Sequence, residues 1–150
     1  MTILQLKNGV LTPWNEGDSA PVALSDWIVG KRSVKNVLIS NDQAIVTLPS
    51  LDSVEEIVLE FPSFADGRAY TQARQLRERL GFEGRIRASG DVLCDQVQYM
   101  TRVGFDVFDI GDGNVEEFRR ALRMFSQFYQ HAADNREPVW SRRLVTAIAA

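Results

Sequence analysis

This sequence predicts an α/β domain: a mainly parallel sheet with crossover helices, wound like part of a barrel, preceded by an N-terminal β-hairpin. Three observations point there. Short β-rich runs at 57–61, 85–89 and 106–110 are too brief for helices, and helical apolar spacing fills the intervals between them. The stretches LGFEGRIRASGD and VGFDVFDIGDGN echo one another, each placing Gly-Phe after a helix and an acidic turn after a strand. Repeated strand-helix units imply parallel strands joined by right-handed crossovers. The 150 residues are expected to form a single domain. It divides into a hairpin and irregular part (1–56), the repeated units (57–130) and a C-terminal tail (131–150). That length falls short of the roughly 200 to 250 residues of a complete eight-unit barrel.

Residues 3–14 alternate apolar and polar around Asn8-Gly9, the strongest short hairpin signal because both residues tolerate positive φ. Residues 15–21 read as a surface loop. Residues 25–29 read as a helical turn or a strand anchored by Trp27 and Ile28. Residues 34–40 form a short strand, and 44–48 is ambiguous up to Pro49. The strand 57–61 is halted by Pro62. Ala69, Ala73, Leu76 and Leu80 recur at helical spacing, so a helix runs from about 67 to 80, capped by Asp66 and stopped by Gly81. After strand 85–89, Asp91 is placed to cap a helix with the stripe Leu93, Val97 and Met100, stopped by Gly104. A last helix over 115–130 is apolar on a broad face (Phe118, Leu122, Phe125, Phe128, Tyr129), more than one packing surface requires, which suits a homo-oligomer contact. The end, VWSRRLVTAIAA, reads as a docking helix or a tail packing on a neighbour.

With 45% apolar and 25% charged residues and a net charge of -3, the composition is that of a globular protein, not of a disordered or nucleic-acid-coating one. One cysteine, Cys94, and one histidine, His131, provide no Cys/His zinc site, leaving only carboxylate-based metal binding open. Asp91 and Asp95 stand one helical turn apart without a third ligand, so no metal site is expected. No apolar run approaches the roughly 18 residues of a membrane span, and MTILQLKNGV lacks a signal-peptide layout, so the expected location is the cytoplasm. The G-x-G-x-x-G spacing is missing around Gly111 and Gly113, which leaves a dinucleotide site unsupported.

Parallel sheets bind ligands beyond the carboxyl ends of their strands. Of three such ends, 61–68 is the leading one. There Gly67 allows close backbone approach, and Arg68 offers a fork of donors to a carboxylate, sulfate or phosphate. The bland alternative has Asp66 capping the helix while Arg68 pairs with a surface acid. Strand alternation lets Glu60, Arg87 and Asp109 point from one sheet face, as a ligand or metal cluster or as a structural ion network. Residues 68–87 hold six arginines against two acids. Arg74 and Arg77 share a helix side with Tyr70 and make either a docking face for an acidic partner or a solvated flank. Gln96 is read as satisfying a buried backbone group, Cys94 as inert core, and His131 as complementing a helix dipole.

The run FPSFADGRAYTQARQLRERLGFEGRIRASGDVLCDQ resembles an uncharacterised bacterial family, a domain of unknown function often encoded beside assimilatory sulfite reductase. The likeness spans about residues 57–108. It rests on Phe61, Pro62, Phe64, Asp66, Gly67, Arg68, Tyr70, Ala73, Arg74, Leu76, Arg77, Gly81, Phe82, Gly84, Arg87, Ala88, Gly90, Asp95 and Gln96, with GFDVF continuing it. Thr71 stands where serine is common in the family. The resemblance implies a cytoplasmic role in sulfur assimilation, and some members carry an oxidoreductase label. One cysteine cannot supply the ligands of an iron–sulfur cluster, nothing in these residues binds siroheme, and no cofactor is expected.

The expected function is therefore an accessory or regulatory protein of assimilatory sulfite reduction. It would bind a protein partner such as a reductase subunit, or a small anion, through Asp66, Gly67, Arg68, Tyr70, Arg74 and Arg87. The alternative is a small enzyme, an oxidoreductase or lyase, acting on an anionic substrate at the strand ends with Glu60 or Asp109 as acid or base. A nucleic-acid module ranks last, because the net charge is negative and no recognised motif is present.

Overall fold

Asn8 and Gly9 both adopt positive φ, 52° and 77°, closing the turn between strands β1 (Ile3–Lys7) and β2 (Val10–Pro13). The computed structural model describes residues 2–15, 20–30 and 32–141. Its further strands are β3 (Val22–Ala23), β4 (Asn36–Ile39), β5 (Glu56–Phe61), β6 (Arg85–Gly90) and β7 (Val107–Asp109). All join one sheet in the order β2-β1-β7-β6-β5-β4-β3. Strands β3 to β7 run parallel, whereas β1 is antiparallel to both β7 and β2. The hairpin thus extends the parallel sheet instead of standing beside it.

The parallel strands lie side by side in chain order, with no reversal between β3 and β7. That is the winding of a barrel segment; a doubly wound sheet would place its ligand crevice at a switch point. Helices α1 (Leu24–Val29), α2 (Arg68–Glu78), α3 (Val97–Val103) and α4 (Val115–Leu122) pack on one face. There Val37, Ile39, Ile57, Leu59, Phe61, Ile86, Ala88 and Phe108 meet Trp27, Leu76, Met100 and Phe118 in one core. Trp27 is fully buried and donates its indole N–H to Val34 O at 3.0 Å, so its large apolar body is sequestered without an orphaned donor. The opposite face carries the alternate residues, among them buried Ile3, Val58 and Val107 together with Glu56 and Arg87.

Several expected details differ. Ile28 is exposed, because α1 presents only Leu24 and Trp27 to the core. The stripe of α2 ends at Leu76: the helix stops at Glu78, Leu80 is turned outward, and Gln72 is buried beside Ala69 and Ala73. Asp91 does not cap α3, which is entered through a 3-10 turn at Cys94–Gln96; Leu93, before that turn, is exposed. The helix expected over 115–130 ends at Leu122. The Gln98 side chain donates to Leu122 O at 3.0 Å and Phe125 O at 2.7 Å, drawing the following chain across α3. Arg102 stacks on Phe128 at 4.1 Å and donates to Gln130 O, leaving Phe125 and Tyr129 exposed. His131 ends no helix and packs edge-on against Trp140 instead. Residues 16–19 of the expected surface loop and residues 142–150 of the expected C-terminal element lie outside the described residues. No helix among the described residues is long and apolar enough to cross a membrane.

Candidate functional site

The carboxyl ends of β4 to β7 open into loops at 40–44, 62–67, 91–93 and 110–114, which share one end of the sheet. Asp66 is the hub of the loop after β5. Its carboxylate accepts from Arg68 Nη2 at 2.7 Å, from Arg68 Nε at 3.0 Å and from the Arg68 backbone N–H at 3.2 Å. It also takes a 2.8 Å bond from Asn41 Nδ2, tying the loop after β4 to the start of α2. The Arg68 bonds hold the Asp66 carboxyl down to about 2. Asp66 thus restrains the first turn of α2 from one place before its N-cap, Gly67, whose φ of -80° is open to any residue.

Two glutamines and an aspartate complete the lattice. Gln72 donates to Ser40 O and Gln43 O, both at 2.8 Å, and pins the loop after β4 to α2. Asp91 accepts from Phe64 N at 2.9 Å, and Gln96 donates to Phe64 O at 3.1 Å, so the loops after β5 and β6 hold each other. Gln96 thus bonds backbone as expected, but the carbonyl it satisfies belongs to exposed Phe64 and not to a buried group. Gly90 closes β6 at φ +100°, where a Cβ would lie 2.3 Å from Phe61 O; only glycine lets the two loops approach this closely.

Strand register puts Glu60, Arg87 and Asp109 on the face away from the helices, but does not bring them into one cluster. Glu60 stands opposite Ser89, and Arg87 opposite Val58 and Val107. Arg87 pairs at 2.9 Å with Glu56, both side chains only 3% exposed, and Glu56 also accepts from Arg85 at 3.1 Å. Asp109 turns back to accept from Gly111 N at 3.1 Å. With one strand between them, Glu60 and Asp109 stand about 10 Å apart at normal strand spacing. Glu60 is half-buried at the mouth, and its side chain makes no hydrogen bond or ion pair among the described residues.

The remaining expected site residues lie elsewhere. Arg74 pairs with Glu78 along the exposed side of α2 at 2.9 Å. Tyr70 tucks its ring between Phe61 and Tyr99, each 5.1 Å away, and burial, reinforced by Tyr99 and Asp95, pushes its hydroxyl up to about 12. Arg77 departs from the docking face expected of it: it turns under the helix and donates to Phe82 O, Gly84 O, Gly104 O and Asp106. Arg68 is engaged by Asp66 at the start of α2, whereas Arg87 is buried against Glu56 on the face away from the helices, so the two form no shared clamp. Among the described residues of the mouth loops and the α2 start, Arg68 is the only base, against Asp42, Asp66, Asp91 and Asp112. No group of three or more His, Cys, Asp or Glu side chains that could hold a metal ion is found among the described residues.

A family model described as a bacterial protein of unknown function (DUF934) matches residues 36–140. The chain belongs to that family. The DUF934 match begins at β4 and contains the whole mouth, all four of its loops included, while the hairpin, β3 and α1 precede it. No curated protein and no solved structure matches the chain.

Sequence reasoning missed Glu56, Asn41, Gln72, Arg77 and Asp106 as organisers of this region. For Glu56 a signal existed: it lies two and four residues before Val58 and Glu60 on the same strand, so alternation places it on the face of Arg87. Asn41 and Asp106 left no local signal, because their partners lie 25 and 29 residues away.

Proposed function

We propose that this chain is an accessory binding protein of assimilatory sulfite reduction that takes a protein partner on the outer face of α2 and α3. The link to sulfite reduction rests on the family resemblance carried by residues 57–108. The choice of a protein partner rests on Tyr99, which stands 56% exposed on the ring of Tyr70. Around it Thr71, Arg74, Glu78, Arg79 and Val103 line a shallow trough of about 360 Å³. Exposed tyrosine flanked by arginine is the composition of interface hot spots. A small anion is the weaker ligand, because Arg68 is already engaged by Asp66 and its surroundings are acidic.

The enzyme reading draws support from Glu60, a half-buried carboxylate at the strand mouth whose side chain is unpaired among the described residues, as an acid or base would be. It is opposed by the separation of Arg68 from Arg87, which leaves an anionic substrate no shared clamp.

Immobilised purified sulfite reductase from the same source, probed with the full chain by interferometry, tests the accessory reading. Saturable binding that weakens about tenfold or more in Tyr99→Ala, with the circular dichroism spectrum unchanged, is expected. Failure of the wild-type chain to bind removes the proposal. A thermal-shift panel of sulfite, sulfate and phosphate on wild type and Arg68→Ala tests the anion: a shift lost with Arg68 would move the site to the strand mouth.

A further inference from the structure

At the other end of the sheet, segments 48–54 and 80–84 lead into the amino ends of neighbouring strands β5 and β6 and enclose a concavity of about 530 Å³. We propose that this concavity docks an apolar side chain from a lysine- or arginine-flanked segment of a protein partner. Its size lies within the range of sites that bury a ligand of several side-chain volumes.

The lining and the rim differ in chemistry. Leu48, Leu51, Val54 and Phe82 form the floor and are continuous with the core, while Leu80 stands at the lip, 40% exposed. The rim carries exposed Asp52 and Glu83, and among the described residues the lining contains no base. An apolar anchor on the floor would bring flanking cations against these carboxylates, whereas an acidic segment would be repelled.

The walls are preformed, which lowers the ordering cost of binding. Arg77 holds one of them through Phe82 O at 2.6 Å and Gly84 O at 2.8 Å. Val54 N donates to Leu51 O at 2.8 Å in the other. No lining residue is shared with the trough around Tyr99, so this surface is independent of the one assigned above.

Fluorescence anisotropy with two labelled heptapeptides tests the proposal, each with a leucine-phenylalanine-leucine centre, one flanked by lysines and the other by glutamates. The full-length chain is expected to bind the lysine peptide about tenfold or more tighter than the glutamate peptide. The double variant Asp52→Lys/Glu83→Lys, altered only at exposed positions, reverses that preference, and the uncharged Leu80→Ser weakens the lysine peptide. Tyr99→Ala leaves both affinities unchanged, so failure at the α2–α3 face is told apart from failure here. Equal binding of the two peptides, or a preference that survives the double reversal, overturns the proposal. So does binding of dodecyltrimethylammonium with neither peptide bound, which would assign the concavity to small amphiphiles.

Discussion

Arg77 of α2 reaches Asp106, just before β7, at 3.1 Å, and the same guanidinium caps three backbone carbonyls. One side chain thereby joins the end of α2, the turn into β6 and the turn into β7. Asp106 completes the joint by accepting from Ile86 N at 2.9 Å.

Removing the guanidinium leaves Phe82 O, Gly84 O and Gly104 O without this donor and a partly buried carboxylate without its cation. Arg77→Met is expected to lower stability by about 3 kcal/mol, read from the urea unfolding midpoint. Arg77→Lys recovers only part, because an ammonium cannot span carbonyls on both sides. A midpoint unchanged in Arg77→Met would show the joint to be idle.

Burial raises the Asp106 carboxyl from an ordinary 3.8 to about 6, against the opposing pull of Arg77. The folded chain therefore holds this proton more tightly than the unfolded chain does. The resulting stabilisation is complete below about pH 4 and is lost as pH rises through about 6. Asp66, held down to about 2, acts in the reverse sense: its contribution is present above about pH 4 and is lost as pH falls toward 2. Denaturation midpoints of wild type and Asp106→Asn between pH 4 and 7 should diverge, the wild type losing stability relative to the variant as pH rises. Parallel pH profiles would contradict the assignment.

Gly90→Ala puts a methyl group 2.3 Å from Phe61 O at a φ of +100°. A loss of about 2 kcal/mol or more is expected in thermal or urea unfolding. Because Gly90 joins the loops after β5 and β6, amide exchange at Phe64 and Asp91 should accelerate first.

Gln98→Leu deletes the donor that holds Leu122 O and Phe125 O while preserving bulk. The expected cost is about 1 to 2 kcal/mol. Tryptic cleavage after exposed Arg123, followed by mass spectrometry, should be faster than in wild type. Equal cleavage rates would mean that the segment after α4 is held by other contacts.

The elements with local signals were legible. Asn8-Gly9 specifies its hairpin through positive φ, and Gly81 and Gly104 follow α2 and α3 at φ 61° and 115°. The apolar runs of β5 and β6 pair in parallel as their alternation with helices implied. The same alternation placed Glu60, Arg87 and Asp109 on one face, but register, a property of two strands together, gave Arg87 to Glu56.

From its own order of residues, this chain determines its hairpin turn and where β5, α2, β6, β7 and α4 begin, because turn glycines, alternation and helical spacing act within a few positions. Tertiary structure alone decided that the hairpin would pair with β7, that Arg77 would turn inward, and that α4 would stop at Leu122. In each case the deciding hydrogen-bond partner comes from far along the chain: Ile3 beside Asp109, Asp106 opposite Arg77, Gln98 beneath Leu122. A buried donor or carbonyl must be satisfied by whatever group the fold brings to it, and that group is known only once the strands are in register.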